Sequence, residues 1–373
     1  MAWVSCPVQF HCCSDRADHE SSLSGYLAKI TALLADDAVN RVALWGLEGC
    51  GKTVIAKTLN NNIKSRTCDL RFDLVIWVPC YKEINISRQL HQIARRLTLF
   101  YAEDAPDAVI AGLIFRKLQK FKTCLIILDN ALASIDLDRL GIPWRNYQGD
   151  NGVRVKILIT TRDRGVCRKL LVDQTLKLDF LSADDAWKYF CSVAGEKNAT
   201  SATVEPIAKQ VCSKPQGYPF AITVVGKIQL QCSYIGWWQM GLRDLNFPHR
   251  ASEITSEIIY ASLKLTYDCL QDKKMKQCFL LCASYPGGCI IKLKEVVCLM
   301  VAKGIIKDCE GCQHEGLMLV EGLKDVCLLE DGIDDETVTM HELIRDFARW
   351  LMSTDAGNIE QLDDQSSSPM TNP

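Results

Sequence analysis

The feature that most constrains this chain is a glycine-rich stretch from Gly46 to Thr53, which reads GLEGCGKT and fits the P-loop pattern G-x-x-x-x-G-K-[ST]. A short apolar run, Arg41 to Trp45, precedes it and predicts a strand. After it, apolar residues recur at intervals of four and predict one face of a helix: Ile55, Leu59 and Ile63. Strand, glycine loop and helix N-terminus together form the setting in which backbone N–H groups and the helix dipole bind phosphate.

The residue types in this loop predict how a nucleotide would be held. Lys52 would reach the β- and γ-phosphates, and the Thr53 hydroxyl would bind Mg²⁺. A glycine-rich turn without a ligand is the plainer alternative. The candidate nucleotide-binding residues of the loop are Gly46, Leu47, Glu48, Gly49, Cys50, Gly51, Lys52, Thr53 and Val54.

Composition excludes several classes of protein. A net charge of −2 gives no electrostatic reason to expect nucleic-acid binding, and no apolar run is long enough to span a membrane. Residues 1–13 lack the basic region and cleavage site of a secretory signal, so we expect a cytoplasmic protein. Nineteen cysteines then indicate reduced thiols, many of them buried within apolar runs. Examples are Cys124, Cys191, Cys278, Cys282 and Cys298.

Two groups of cysteines leave alternatives open. Cys309-x-x-Cys312-x-His314 has part of the spacing of a zinc site, but a fourth ligand is missing from the pattern. Acylation at the N-terminus would tether the chain to a membrane, although loose surface thiols explain these cysteines more simply. The cysteines concerned are Cys6, Cys12 and Cys13.

The order of apolar runs predicts the fold class. Helical patterns alternate with buried strands near residues 74–78, 124–128, 155–159 and 176–178, which predicts an α/β parallel sheet of P-loop type. From residue 181 onward the pattern is helical, with a small hairpin near residues 324–339 that indicates a winged helix. The predicted organisation is a disordered tail (1–22), a nucleotide-binding domain (23–180), a helical subdomain (181–252), a winged-helix subdomain (253–353) and a second disordered tail (354–373).

Three further residues are expected near the phosphates because ligands of parallel sheets bind beyond the carboxyl ends of the strands. Asp129 ends a buried strand, as a Walker B acid would, and would hold Mg²⁺ with Thr53. Asn130 follows it and can orient water without accepting its proton, which favours a switch over an enzyme with rapid turnover. Arg162 follows the next strand and would contact a γ-phosphate.

The last predicted helix raises another alternative. Arg345 and Arg349 lie about one turn apart, and a winged helix with basic residues suggests DNA binding. The other face of this helix is apolar and predicts packing in a core, and the chain has no basic patch. We therefore expect no nucleic-acid partner.

Taken in order, these motifs resemble the NB-ARC module of plant intracellular immune receptors of the nucleotide-binding leucine-rich-repeat class, and the pattern around Trp187 favours the coiled-coil branch. The resemblance covers residues 23 to 353. Besides the P-loop, it rests on Phe72-Asp73 with Trp77-Val78, Leu125–Asn130, Lys156–Arg162, Leu181–Phe190, Gly217–Ala221, Cys278–Pro286 and Met340–Leu343.

The resemblance implies a mechanism and two more site residues. Pro219 would pack near the adenine, and His341 would contact the β-phosphate of ADP. ADP would hold a closed state, and exchange for ATP would allow assembly with other protein chains. The family and the mechanism together imply a switch in the plant defence response, with ADP or ATP and Mg²⁺ as its ligands.

The chain departs from the family pattern in three ways. Asn130 replaces a second acid, which puts hydrolysis in doubt, and Glu342 replaces the Asp that usually follows His341. The sequence also lacks a signalling domain before residue 23 and repeats after residue 353, so a fragment or a natural truncation is expected. The alternatives are a slow regulatory ATPase, a truncated adaptor or decoy that does not signal, and a remnant that binds nothing.

Overall fold

A computed structural model describes residues 20–80, 86–131, 135–143, 153–230, 234–246, 254–332 and 334–366. The chain divides into two compact units. Unit 1 comprises the described residues up to Tyr189 together with Gly217–Phe220, and unit 2 comprises Phe190–Gln216 and the described residues from Ala221 onward. Most of the predicted N-terminal tail, with its three cysteines, lies outside the described residues, and so do residues 367–373.

Unit 1 is an α/β layer structure in which strands and helices alternate, as the sequence predicts. Its strands are β1 (Arg41–Trp45), β2 (Leu74–Pro79), β3 (Thr123–Asp129), β4 (Arg154–Thr161) and β5 (Gln174–Lys177). Its helices are α1 (Glu20–Ala35), α2 (Lys52–Ser65), α3 (Ile86–Arg96), α4 (Asp107–Leu118) and α5 (Arg164–Lys169), and α6 (Ala183–Ala194) contains the division between the units.

The sheet of unit 1 has the order β2-β3-β4-β1-β5, and all its pairings are parallel. Its central strands are apolar on both faces because helices cover both: α1 and α2 pack on one side, and α3 and α4 on the other. β4 lies between β3 and β1, so the carboxyl ends of these three strands meet at one edge of the sheet. This arrangement brings Asp129 and Arg162 to the edge where the P-loop begins.

Unit 2 is mostly helical, again as the sequence predicts. Its helices are α7 (Glu196–Ala199), α8 (Glu205–Ser213), α9 (Pro219–Leu230, of which the first two residues belong to unit 1), α10 (Ile235–Leu245), α11 (Ile254–Cys269), α12 (Lys273–Ala283), α13 (Leu293–Ala302), α14 (Cys312–Asp325) and α15 (Glu342–Ser366). Its strands are β6 (Ile291–Lys292), β7 (Glu330–Asp331) and β8 (Thr337–Thr339).

Two aromatic groups mark the cores of unit 2. The rings of Phe190 and Trp238 meet edge to face at 6.0 Å between centroids. Phe347 on α15 meets Tyr260 on α11 at 5.7 Å. The short strands form an antiparallel sheet of order β6-β8-β7. A winged helix is built from a hairpin of this kind packed beside helices. The assignment of this region as a winged helix stays a prediction.

Three details differ from the sequence prediction. Cys298 is exposed and not buried, because α13 turns Val296, Val297 and Met300 inward and leaves Cys298 on the opposite face. α15 extends to Ser366, beyond the predicted end, since a packed helix adds further residues at little cost. The strand β6 has no signal in the sequence, because two residues are too few to show a period. Within the described ranges, no helix is both long and apolar enough to cross a membrane.

Candidate functional site

The P-loop connects β1 to α2 through a backbone that requires glycine. Gly51 lies immediately before α2 with φ at 100°, a left-handed conformation that side chains rarely adopt. Gly46, the residue after β1, packs closely against Leu178, so that a Cβ at this position would lie 2.6 Å from the carbonyl oxygen of Leu178. The loop leads directly into the N-terminus of α2, where unpaired N–H groups favour an anion.

Lys52 is a buried cation whose partners are neutral. Its ammonium group donates hydrogen bonds to the carbonyl oxygens of Gly46, at 2.9 Å, and Leu47, at 2.6 Å, and only 7% of the residue is exposed. Both carbonyls belong to the loop itself. Phosphate oxygens carry full negative charge and are stronger acceptors than carbonyls, so the group fits the predicted contact with phosphate.

Asp129 and Thr53, which the sequence predicts to be a Walker B acid and its P-loop hydroxyl, are in contact. The Thr53 hydroxyl donates to Asp129 Oδ1 at 2.8 Å, and the buried Thr160 hydroxyl donates to the same oxygen at 2.6 Å. A carboxylate beside a hydroxyl supplies the hard oxygen ligands that Mg²⁺ prefers, so these residues fit the ion. Thr160 is absent from the predicted site residues. Its position in the run Thr160-Thr161-Arg162, at the end of a predicted strand, is the sequence feature that could have indicated its place in the site.

Asn130 lies beside this network in a constrained backbone. Its φ is 59°, and its N–H donates to the Thr160 hydroxyl at 2.8 Å. The amide side chain has no basic group, so it cannot accept a proton from water. Its predicted catalytic role is therefore limited to orienting a water molecule.

Arg162, which is predicted to contact a γ-phosphate, forms an ion pair with a residue of the P-loop in this structure. The guanidinium lies 2.5 Å from Glu48 Oε2, in an ion pair whose side chains are 39% and 19% exposed respectively. The sequence predicts that Arg162 approaches a γ-phosphate and includes Glu48 only as a member of the loop. No feature of the sequence predicts that the two charges pair.

The segment Gly217–Phe220 lies against the same loop within unit 1. The Tyr218 hydroxyl donates to the carbonyl oxygen of Glu48, and the N–H of Phe220 donates to that of Gly49 at 3.3 Å. Burial raises the pKa of Tyr218, which keeps its phenol protonated as a donor. Pro219 stands between these two contacts, so the structure brings its segment to the P-loop, and its contact with adenine stays a prediction.

Cys50 is the buried thiol of the loop. Burial raises its pKa, and the neighbouring ammonium of Lys52 only partly offsets that effect. The thiol therefore remains protonated at neutral pH and behaves as a small apolar side chain.

The predicted motif Met340–Leu343 lies in unit 2, at the start of α15. His341 Nδ1 accepts a hydrogen bond from the N–H of Leu343 at 3.2 Å, so the imidazole caps the helix. Whether it also contacts a nucleotide stays a prediction. Glu342, which departs from the family pattern, has a partner of its own, because its carboxylate lies 3.8 Å from the guanidinium of Arg345.

Arg345 is fully buried, which the sequence does not predict. Its guanidinium donates to the carbonyl oxygens of Ala283, at 3.2 Å, and Tyr285, at and just beyond the C-terminal end of α12. A cation fits there because the helix dipole is negative at its C-terminus. Arg345 therefore belongs to the packed interior of unit 2, which removes one of the two basic residues that suggested DNA binding.

The cysteine and histidine pattern around residue 312 is not assembled into a metal centre. Across the described parts of the chain, no three His, Cys, Asp or Glu side chains are grouped so that they could hold a metal ion.

Comparisons with known proteins agree with this geometry. The model of the NB-ARC domain matches residues 25–200. Probable disease resistance protein At4g27220 of Arabidopsis thaliana is 36% identical over 342 residues, which are 90% of this chain and 36% of the relative. Disease resistance protein At4g27190 of the same plant is 36% identical over 347 residues, 92% of this chain and 35% of the relative. The chain thus spans about a third of the length of these curated relatives.

A solved structure supports the fold. The STAND (Signal Transduction ATPase with Numerous Domains) protein with a tetratricopeptide repeat sensor from Pyrococcus horikoshii superposes with a TM-score of 0.55 at 16% identity, covering 94% of this chain and 44% of that one. At that identity the likeness concerns the fold alone. From the family match, the sequence relatives and the P-loop geometry, we conclude that the chain belongs to the NB-ARC family of nucleotide-binding modules found in plant disease resistance proteins.

Proposed function

We propose that this chain is the ADP- and ATP-binding switch module of a plant disease resistance protein and acts in the defence response. The observation that carries the proposal is the contact between the Thr53 hydroxyl and the Asp129 carboxylate, beside a P-loop in which the Lys52 ammonium is buried. Their chemistry suits the phosphates of a nucleotide and its Mg²⁺. The names of the sequence relatives supply the biological setting.

The site favours binding over rapid turnover. Asp129 accepts hydrogen bonds from Thr53 and Thr160, which suits a carboxylate that positions Mg²⁺. Asn130 follows it and offers no base to deprotonate an attacking water molecule. A bound nucleotide would therefore persist, which a switch requires because its state must last longer than one catalytic cycle.

Switching requires that ADP and ATP bind two states of the protein with different affinities. We propose that His341 contributes to this difference by contacting the diphosphate in only one state. In the same proposal, the state that holds ATP assembles with other protein chains.

The identity of the bound nucleotide tests the proposal. The full chain is purified, denatured and analysed by ion-exchange chromatography, and added nucleotide with Mg²⁺ is titrated by calorimetry. We expect stoichiometric ADP or ATP, and slow phosphate release when ATP is supplied. A protein that is purified empty and takes up neither nucleotide would contradict the proposal.

A further inference from the structure

The ion pair between Glu48 and Arg162 places a carboxylate inside a loop built to bind anions. Glu48 lies between Gly46 and Lys52 in the P-loop, and its side chain is mostly covered. Its backbone carbonyl accepts a hydrogen bond from the Tyr218 hydroxyl, which holds this part of the loop in place. The ion pair with Arg162 thus holds the carboxylate within the loop that is predicted to bind phosphate.

The charge of Glu48 acts on a nucleotide in two ways. It would repel a phosphate held by the loop, and it neutralises Arg162 through the contact of 2.5 Å. A diphosphate can be bound by the backbone N–H groups and Lys52 without Arg162. A third phosphate adds charge at the outer end of the chain, where it would need the guanidinium that Glu48 holds.

We propose that Glu48 is a specificity-determining residue of the nucleotide site. Its ion pair with Arg162 must open before a γ-phosphate can use that cation, so Glu48 disfavours nucleoside triphosphates more than diphosphates. The inference rests on the proposed function, because it assumes that nucleotide binds at the P-loop. It goes further in assigning to Glu48 the balance between the two nucleotides.

The test compares E48Q with the unchanged full chain. Gln keeps the size of the side chain and removes its charge. Calorimetry with Mg²⁺ gives Kd for ADP and for a non-hydrolysable ATP analogue, and the thermal shift produced by each nucleotide gives a second readout. We expect the affinity for the ATP analogue to rise about tenfold and that for ADP about twofold or less, since only the triphosphate gains a free Arg162.

Two further variants separate the causes. D179N removes one negative charge from an exposed ion pair with Lys177 in the same unit and should leave both affinities unchanged. In R162A the pair is already broken, so adding E48Q should change the ratio of the two affinities much less than it does in the unchanged chain.

The outcomes distinguish this inference from the proposed function. If E48Q raised the affinities for ADP and for the ATP analogue equally, or changed neither, the inference would be overturned. In both cases the proposal that the chain binds nucleotide would still stand. If neither the unchanged chain nor E48Q binds any nucleotide, both proposals fail.

Discussion

Lys52 in unit 1 and Arg345 in unit 2 are both cations buried against backbone carbonyls, but their surroundings differ. Lys52 donates to the carbonyl oxygens of Gly46 and Leu47, two residues of its own loop. Arg345 donates to carbonyls at the C-terminal end of α12, and the carboxylate of Glu342 lies 3.8 Å from its guanidinium. The lysine is therefore held by a glycine-rich loop, and the arginine by a packed helix with a carboxylate nearby.

The difference shows why Lys52 is proposed to bind a ligand and Arg345 is interpreted as structural. Arg345 is fully buried, and its partners belong to the end of a packed helix. Lys52 is held by a glycine-rich loop next to the N-terminus of α2, where an anion is favoured. Burial and carbonyl partners are common to both, so they do not identify a ligand site by themselves.

The largest expected effect is on nucleotide binding in K52A. Removing a cation that makes charge-assisted hydrogen bonds to phosphate should weaken binding by about 3 kcal/mol, or about a hundredfold in Kd. Calorimetry with ADP and Mg²⁺ measures the loss, and circular dichroism checks that the fold remains. Unchanged affinity would contradict the assignment of the P-loop.

Lys156 supplies the matched control for K52A. It is also a buried lysine of unit 1, and its ammonium group donates to the carbonyl oxygens of Asp36, at 2.5 Å, and Val39. Burial lowers its pKa, as expected for a cation removed from water. K156M should change the stability of unit 1 and leave the Kd for nucleotide unchanged.

The second effect is on stability in R345A. The variant leaves two carbonyl groups of unit 2 without their donor and opens a cavity, so the free energy of unfolding should fall by about 3 kcal/mol. Hydrogen exchange should show faster opening of α12 and α15 and unchanged protection of α2. R349A is the control, because Arg349 lies on the same helix and is half exposed, and it should change stability by less than about 0.5 kcal/mol. Equal losses in the two variants would contradict a structural role specific to Arg345.

Lys52 and Arg345 also show how much of the fold and of the candidate site could be predicted from the sequence. The strands of unit 1 are predicted by apolar runs, and the P-loop, with Lys52, is predicted by one motif. Both signals consist of residues that are close together in the sequence. The burial of Arg345 depends on a helix end 62 positions away, and the pairing of Glu48 with Arg162 joins residues 114 positions apart. Such contacts leave no periodic pattern, so only the fold reveals them.

A smaller effect concerns His341, which caps the helix that carries Arg345. H341A removes the hydrogen bond to the N–H of Leu343 and, in our proposal, a contact with the diphosphate. We expect ADP affinity to fall about fivefold to tenfold, or about 1 kcal/mol, with a smaller loss for the ATP analogue. H341N keeps a capping oxygen and lacks the imidazole, so it should lose ADP affinity without losing the cap. Equal losses for both nucleotides would remove His341 from the switch.

The smallest effect tests whether an anion of unit 1 is structural in the way that Arg345 is. Asp173 accepts hydrogen bonds from the N–H groups of Asn40 and Arg41, both at 2.8 Å, and so fixes the start of β1. Partial desolvation acts to raise the pKa of Asp173, but these N–H groups and the Arg41 guanidinium lower it overall. Because solvent still reaches the carboxylate and screens its charge, D173N should cost only about 0.5 to 1 kcal/mol near neutral pH.

The pH dependence of that cost gives the sharper test. Because the pKa of Asp173 is lower in the folded state, the unfolded state binds more protons as the pH falls. The stabilisation by Asp173 is therefore fully present above the ordinary pKa of the carboxyl group, and it is lost as the pH falls through the pKa of the folded state. The difference in unfolding free energy between D173N and the unchanged chain should shrink as the pH falls below the ordinary pKa of the carboxyl group and through the lowered pKa of Asp173. D179N, at an exposed ion pair, is the control and should change stability by less than about 0.5 kcal/mol near neutral pH. A D173N cost that stays constant with pH would mean that Asp173 holds β1 through shape and not through its charge.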